Sequence, residues 1–224
     1  MTPRLRSVPA AAEDALRAAD GRVPGRRGRA TRQRLLECTA EMLKTTSYRD
    51  VKVIDIAREA GTSPATFYQY FPDVEAAILV LAEEMAVAGA MLPALIHQGP
   101  WKGKGSYATA AALVDAFLEF WEEHRSVLRV VDLATEEGDN RFRQIRTRLL
   151  HEVTNALAAV VRHSQDEGRT PADIDPTATA GTLVSMLAHV AAHRYGFEFW
   201  GIRTADLRQS MARQLFWGAT GQKP

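Results

Sequence analysis

The 224-residue chain holds a single cysteine, Cys38, which excludes an internal disulfide framework. A lone thiol fits a reducing compartment, so the cytoplasm is the expected location. No apolar run approaches the roughly 18–20 residues that cross a bilayer, and no membrane partner is expected. Residues 2–28 mix Arg, Ala, Pro and Glu where a signal peptide would carry an apolar core. Net charge is almost absent, with 28 Lys/Arg against 27 Asp/Glu. That balance confines any contact with a polyanion to one part of the surface. What remains is an ordinary globular composition, 46% apolar and 25% charged. The length suits one large domain, or a small and a medium one sharing a core.

The charge is unevenly spread. Residues 1–75 hold 13 Lys/Arg and 10 Asp/Glu; residues 76–224 hold 15 and 17. The stretch 22–34 carries six arginines and no acid. Such a block is either a solvated tail or a local polyanion contact.

Apolar residues recur at spacings of three and four throughout, and no stretch alternates long enough for a strand. The expected fold class is all-α. Residues 1–28 read as a mobile basic arm, with at most a short helix near 13–19. Helices are expected over 31–44, 53–60, 64–70 and, opened by Pro72 and Asp73, to about 97. A Gly/Pro/Lys loop follows over 99–106. Further helices are expected over 107–123, from a Ser126 cap to about 137, and over 141–167. Asp175-Pro176 opens another to about 195, and the last runs over 204–217. The expected organisation is an arm over 1–28, a three-helix domain over 29–75 and a helical bundle over 76–224.

The segment Val51 to Phe71 has the pattern of a helix-turn-helix. Gly61 supplies a positive-φ residue that stops the first short helix. Ser63 can accept backbone N–H groups at the start of the second, with Pro64 at its first position. Ile56, Ala57 and Phe67 would join the two helices, leaving Ala65, Thr66, Gln69 and Tyr70 outward, a surface suited to a major groove.

These residues resemble the TetR family of transcriptional regulators. The run Ile56-Ala57 through Ala60-Gly61, then Ser63, then Ala65-Thr66-Phe67-Tyr68-Gln69-Tyr70-Phe71, matches that family's most recognisable stretch. Motif support extends over about 29–81. The resemblance implies a homodimeric DNA-binding repressor, no enzyme, whose operator is two-fold related and whose small effector is unidentified. It also implies that Thr66 and Tyr68 hold phosphates while Ala65, Gln69 and Tyr70 face bases. Arg26, Arg27 and Arg29, expected to precede the first helix, would add phosphate or minor-groove contacts. Three positions depart from the family's habit. Ser47 stands for a glycine after the first helix. Lys52 stands where Ser or Thr opens the second helix, and Val74 where a lysine often meets phosphate. The phosphate load lost at Val74 is expected to shift to the arginines or to Lys52.

In the family, the C-terminal helices form a pocket and a dimer face. Met85, Met91, Trp101, Leu113, Phe117, Phe120, Trp121, Leu128, Phe142 and Ile145 are candidates to line an apolar cavity, or to be plain core; His189 is a further pocket candidate. Such a lining would favour an apolar or aromatic ligand. For the dimer face, Leu183, Leu187, Val190 and Ala191 form one stripe, with Leu207, Met211 and Leu215 on the last helix. Phe197, Phe199, Trp200, Phe216 and Trp217 could enlarge it.

Other signals carry little. His189 and His193 sit four apart but lack a zinc protease's glutamate, so no metal site and no cofactor are expected. Gly103-Lys-Gly-Ser106 fails the phosphate-loop spacing. Cys38 reads as a small core residue. The adjacent acids 83–84, 122–123 and 136–137 diverge on their helices. A helical enzyme or carrier would need a convergent polar site, which the sequence does not show. An activator or nucleoid-type binder would use the same helix-turn-helix.

Overall fold

The arginine block opens a helix instead of trailing as an arm. In the computed structural model, which describes residues 25–222, α1 covers Arg26–Thr45. Its first turn is closed by Arg29 N–H donating to the Gly25 carbonyl at 2.9 Å. Arg26, Arg27 and Arg29 therefore lie within the helix, a correction to the sequence expectation; the short helix expected near 13–19 lies outside the described residues. Leu35, Leu36, Thr39 and Leu43 form the buried face of α1. A 3-10 turn over Tyr48–Asp50 follows, then α2 (Val53–Glu59) and α3 (Pro64–Tyr70).

Next come α4 (Val74–Ala88), α5 (Met91–Gln98), α6 (Ser106–Glu123), α7 (Arg125–Glu136), α8 (Asn140–Asp166), α9 (Pro176–Phe199) and α10 (Thr204–Thr220). No strand occurs among the described residues. The chain forms two compact units whose boundary falls inside α4, between Glu84 and Met85.

Among the described residues, side-chain caps mark four of the ten helix starts, Ser63 at α3 included. Asp73 Oδ1 accepts from Ala76 N–H at 2.7 Å, and Asp175 Oδ1 from Ala178 N–H at 2.6 Å. Asp139, expected only as part of a turn, caps α8 by accepting from Arg141 N–H at 2.8 Å. Ser126 does not cap α7: His124 alone separates α6 from α7, so the new helix has already begun at Arg125.

One long helix was expected over 73–97. The structure breaks it at Gly89 and Ala90, where Leu92 N–H donates to Gly89 O at 3.0 Å. A Cβ at Gly89 would overlap Leu149 Cδ1 and lie 3.3 Å from Phe120 Cζ, so the bare backbone is what lets α6 and α8 approach. Within the same stretch, Val74–Gln98, 18 consecutive residues reach a mean hydropathy of 1.8, long and apolar enough by length and composition to cross a membrane. That corrects the expectation that no segment would pass such a test. In the fold it is two helices that bury Ala77, Ile78, Ala82, Met85, Leu92 and Ile96.

In the second unit, α8 packs on α7 and α9, while α10 packs on α6 and α9. Its centre is apolar: Leu113, Phe117, Phe142, Leu157, Leu187 and Leu215 are at most 1% exposed. Ser164, Thr170 and Thr220 form a buried hydroxyl cluster, with Ser164 Oγ donating to Thr220 O at 2.7 Å and lying 2.7 Å from Thr170 Oγ1.

Candidate functional site

The turn between α2 and α3 is built as the sequence suggests. Ala60 N–H donates to Ile56 O at 2.9 Å and Thr62 N–H to Ala57 O at 2.8 Å, closing α2 over Gly61 at φ +65°. Ser63 Oγ accepts from Thr66 N–H at 3.2 Å and caps α3. Lys52 occupies the N-cap position of α2 with no side-chain bond, leaving its ammonium in solvent.

The core side of α3 is aromatic. Phe67 is fully buried, and its ring lies 5.5 Å from that of Phe71, which is 2% exposed. Ile56 and Ala57 of α2 are also fully buried. Burying two phenylalanines on one side fixes the rotation of α3. Ala65, Tyr68 and Gln69 are then exposed, while Thr66 and Tyr70 are half-buried. Tyr68 stands edge-on to Phe67, ring centres 5.9 Å apart, with its side chain 53% exposed. Thr66 Oγ1 lies 3.0 Å from Ser63 Oγ, so one hydroxyl is oriented by the cap that starts the helix.

The basic block does not act as one surface. Arg32 is buried, its guanidinium 5.1 Å from the Phe71 ring centre. Burial pushes its pKa down, and the same desolvation holds the Glu84 carboxyl above its ordinary value despite the charge of Arg32. Arg26, Arg27 and Arg29 remain exposed on α1. Val74 opens α4 with an apolar, half-buried side chain.

Of the proposed cavity lining, Met91 is exposed, and the rest separates into two sets. Met85, Trp101, Leu113, Phe117, Phe120, Leu128, Phe142 and Ile145 are all buried. Trp101 is anchored by its indole N–H, which donates to Ile96 O at 2.9 Å. Trp121 and His189 instead line an open cleft of about 560 Å³, together with Arg129, Glu136, Arg146 and His193. Trp121 is stacked on Phe117 at 5.2 Å. Sequence reasoning missed Arg129, Glu136 and Arg146 because charged residues on α7 and α8 look like ordinary solvated faces. No group of three or more metal-ligating side chains occurs among the described residues.

The stripe expected at a dimer face is also redistributed. Leu183, Leu187, Ala191, Met211, Leu215 and Phe216 are buried within the chain itself, which corrects that expectation. Val190, Phe197 and Leu207 are half-buried. The outward apolar surface near α9 and α10 is Phe199, Trp200, Ile202 and Trp217, with Phe199 89% and Trp200 73% exposed.

Comparisons with known proteins agree with this architecture. Residues 35–76 match the family model for bacterial regulatory proteins, tetR family. Residues 92–224 match the model for the tetracyclin repressor-like C-terminal domain. An uncharacterised HTH-type transcriptional regulator from Haemophilus influenzae is 26% identical over 134 residues, covering 59% of this chain and 64% of that protein, so the chain spans less than two thirds of that relative. Among solved structures, the fatty acid degradation regulator FadR from Bacillus halodurans has a TM-score of 0.64 at 14% identity, over 87% of this chain and 97% of that one. FadR from Bacillus subtilis, solved with stearoyl-CoA, has a TM-score of 0.61 at 16% identity, over 85% and 98%. The MbdR regulator from Azoarcus sp. CIB has a TM-score of 0.63 at 18% identity, over 84% and 98%. At these identities the likeness is one of fold.

Proposed function

Because the chain belongs to the tetR family of bacterial regulatory proteins, we propose that it is a homodimeric repressor, acting in the cytoplasm, that leaves a two-fold-related operator when a small apolar or aromatic effector binds. It is a regulator of transcription and not an enzyme. The observation that carries the operator reading is α3: Ser63 caps it, Phe67 is locked in the core, and Ala65, Tyr68 and Gln69 are left outward.

That surface suits a major groove. Gln69 can pair with an adenine edge, and Ala65 and Tyr70 can meet a thymine methyl. Tyr68 and Thr66 supply hydroxyls for phosphate oxygens, with Ser63 beside them. Lys52 and the exposed Arg26, Arg27 and Arg29 add the charge that Val74 does not. The proposed organisation is an operator-binding domain over 29–75, preceded by the basic residues of 1–28 and followed by an effector and dimer domain over 76–224.

Two copies are proposed because two recognition helices about one DNA turn apart read a two-fold site. The exposed Phe199, Trp200, Ile202 and Trp217 supply apolar area for that association. An effector then acts by favouring a spacing of the two α3 helices that the operator cannot accept. An acyl-CoA was found with the Bacillus subtilis relative, which supports a ligand-binding role for the second unit without identifying this chain's ligand.

Selection from a random duplex library tests the reading. Enrichment of one motif with two-fold-related halves is expected. Retention that depends on duplex length alone would overturn it in favour of a nucleoid-type binder.

A further inference from the structure

We infer that the cleft between α6, α7, α8 and α9 receives a flat organic monoanion, an aromatic carboxylate. The inference rests on the effector reading above and names the site and the ligand class. A volume of about 560 Å³ lies within the range of small-molecule sites, roughly 300–1,000 Å³.

The flat surfaces are fixed before any ligand arrives. Trp121 is 6% exposed and lies nearly parallel to Phe117, at 15°. The rings of His189 and His193, which also line the cleft, stack at 4.3 Å and 23°. An aromatic body loses little freedom against such pre-ordered surfaces.

The charges select one anionic end. Arg146 Nε already donates to Asp132 Oδ1 at 2.6 Å, so that cation is answered within the wall. Arg129 faces the same cleft and, among the described residues, has no carboxylate partner. It is the cation left for a ligand carboxylate, and a guanidinium can take one through two parallel bonds.

Glu136 lies seven residues further along α7, about 10 Å by the helical rise. Its carboxylate repels a second negative group at that end. His193 Nδ1 lies 3.0 Å from the His189 carbonyl. A carbonyl oxygen only accepts, so Nδ1 is the donor, and a neutral His193 presents an Nε2 lone pair. Two acceptors, Glu136 and His193, therefore welcome a hydroxyl on the ligand and oppose a second acid.

Titration calorimetry of the full chain without DNA tests the assignment, using 1-naphthoate as the probe. The matched cation 1-naphthylmethylammonium and stearoyl-CoA serve as comparisons. Saturable binding of naphthoate, and none of the cation, is expected. Arg129→Gln should weaken it about tenfold or more, and Glu136→Gln should tighten it about two- to threefold. Arg208→Gln, remote from the cleft lining, should leave it unchanged. Both cleft substitutions are at exposed positions, and a matching melting temperature confirms that each variant is folded.

No naphthoate heat at millimolar concentration, equal binding of the cation, or full affinity in Arg129→Gln would overturn the assignment. Operator binding by the same preparation separates the two readings. If DNA binds and naphthoate does not, the cleft assignment fails and the regulator stands. If naphthoate binds as expected and no DNA does, the regulator reading fails and the cleft stands.

Discussion

The Ser63 hydroxyl oxygen accepts the backbone N–H of Thr66 at 3.2 Å and lies 3.0 Å from the threonine's own hydroxyl. One side chain therefore starts α3 and orients a group on its outward side. Replacing Ser63 by alanine removes an acceptor from an N-terminal N–H and should cost about 1 kcal/mol of stability. Urea unfolding reads that loss directly. Operator affinity should fall by more than the stability change explains, because Thr66 loses its orienting partner. An unchanged affinity would separate Thr66 from the interface.

Lys52 stands at the start of α2 with its ammonium in solvent. If it anchors a phosphate, Lys52→Ala should reduce the slope of log affinity against log salt by about one unit. Its effect should be the same on specific and random duplexes. An unchanged slope would leave the phosphate load to Arg26, Arg27 and Arg29.

Gly221 ends α10 at φ +65°, and a Cβ there would lie 2.9 Å from Thr170 Oγ1 and overlap the Arg169 carbonyl oxygen. The left-handed conformation alone costs a non-glycine residue about 1–2 kcal/mol. Gly221→Ala should therefore destabilise by about 2–3 kcal/mol once the steric overlap is added. Differential scanning calorimetry should show a drop of several degrees. The same cluster holds Arg169 Nη1 on Thr220 O at 2.7 Å, so the end of α10 should fray first.

Glu167 accepts from Lys102 Nζ at 2.6 Å and from Arg169 Nη2 at 2.6 Å. These bonds hold its carboxyl down to about 2, from an ordinary value near 4.5. A carboxyl whose folded-state pKa is depressed stabilises the fold above its unfolded pKa and loses that contribution as pH falls. The window runs from about 4.5 down to about 2. Melting curves of Glu167→Gln should lie below the wild type at neutral pH and converge with it towards pH 2. Because the pair is solvent-exposed, the gap should be modest and should shrink in high salt.

Much of the fold was legible because helix starts leave chemical marks. Asp175-Pro176 and Ser63-Pro64 each combine a cap acceptor with a ring that suits the first turn, and both open helices in the structure. The break at Gly89 left no such mark: its neighbours are Ala88 and Ala90, and its cause is the approach of Leu149 and Phe120 from other helices. Arg26 and Arg27 looked like a solvated tail because charge reports exposure and not backbone conformation. The stripes on α9 and α10 were legible as buried, but periodicity does not say whether the same chain or another copy buries them. Leu183 and Leu215 are covered by their own chain. The cleft was the least legible feature. Side-chain type marks what is apolar, and a void depends on how well helices close on one another.

The most direct test of the regulator reading is fluorescence anisotropy on the DNA upstream of the chain's own gene, with a random duplex as control, at two salt concentrations. Tight, salt-sensitive binding to the upstream fragment alone is expected, and it should be lost in the double variant Tyr68→Ala, Gln69→Ala. Absence of binding to either duplex at low salt would contradict the account.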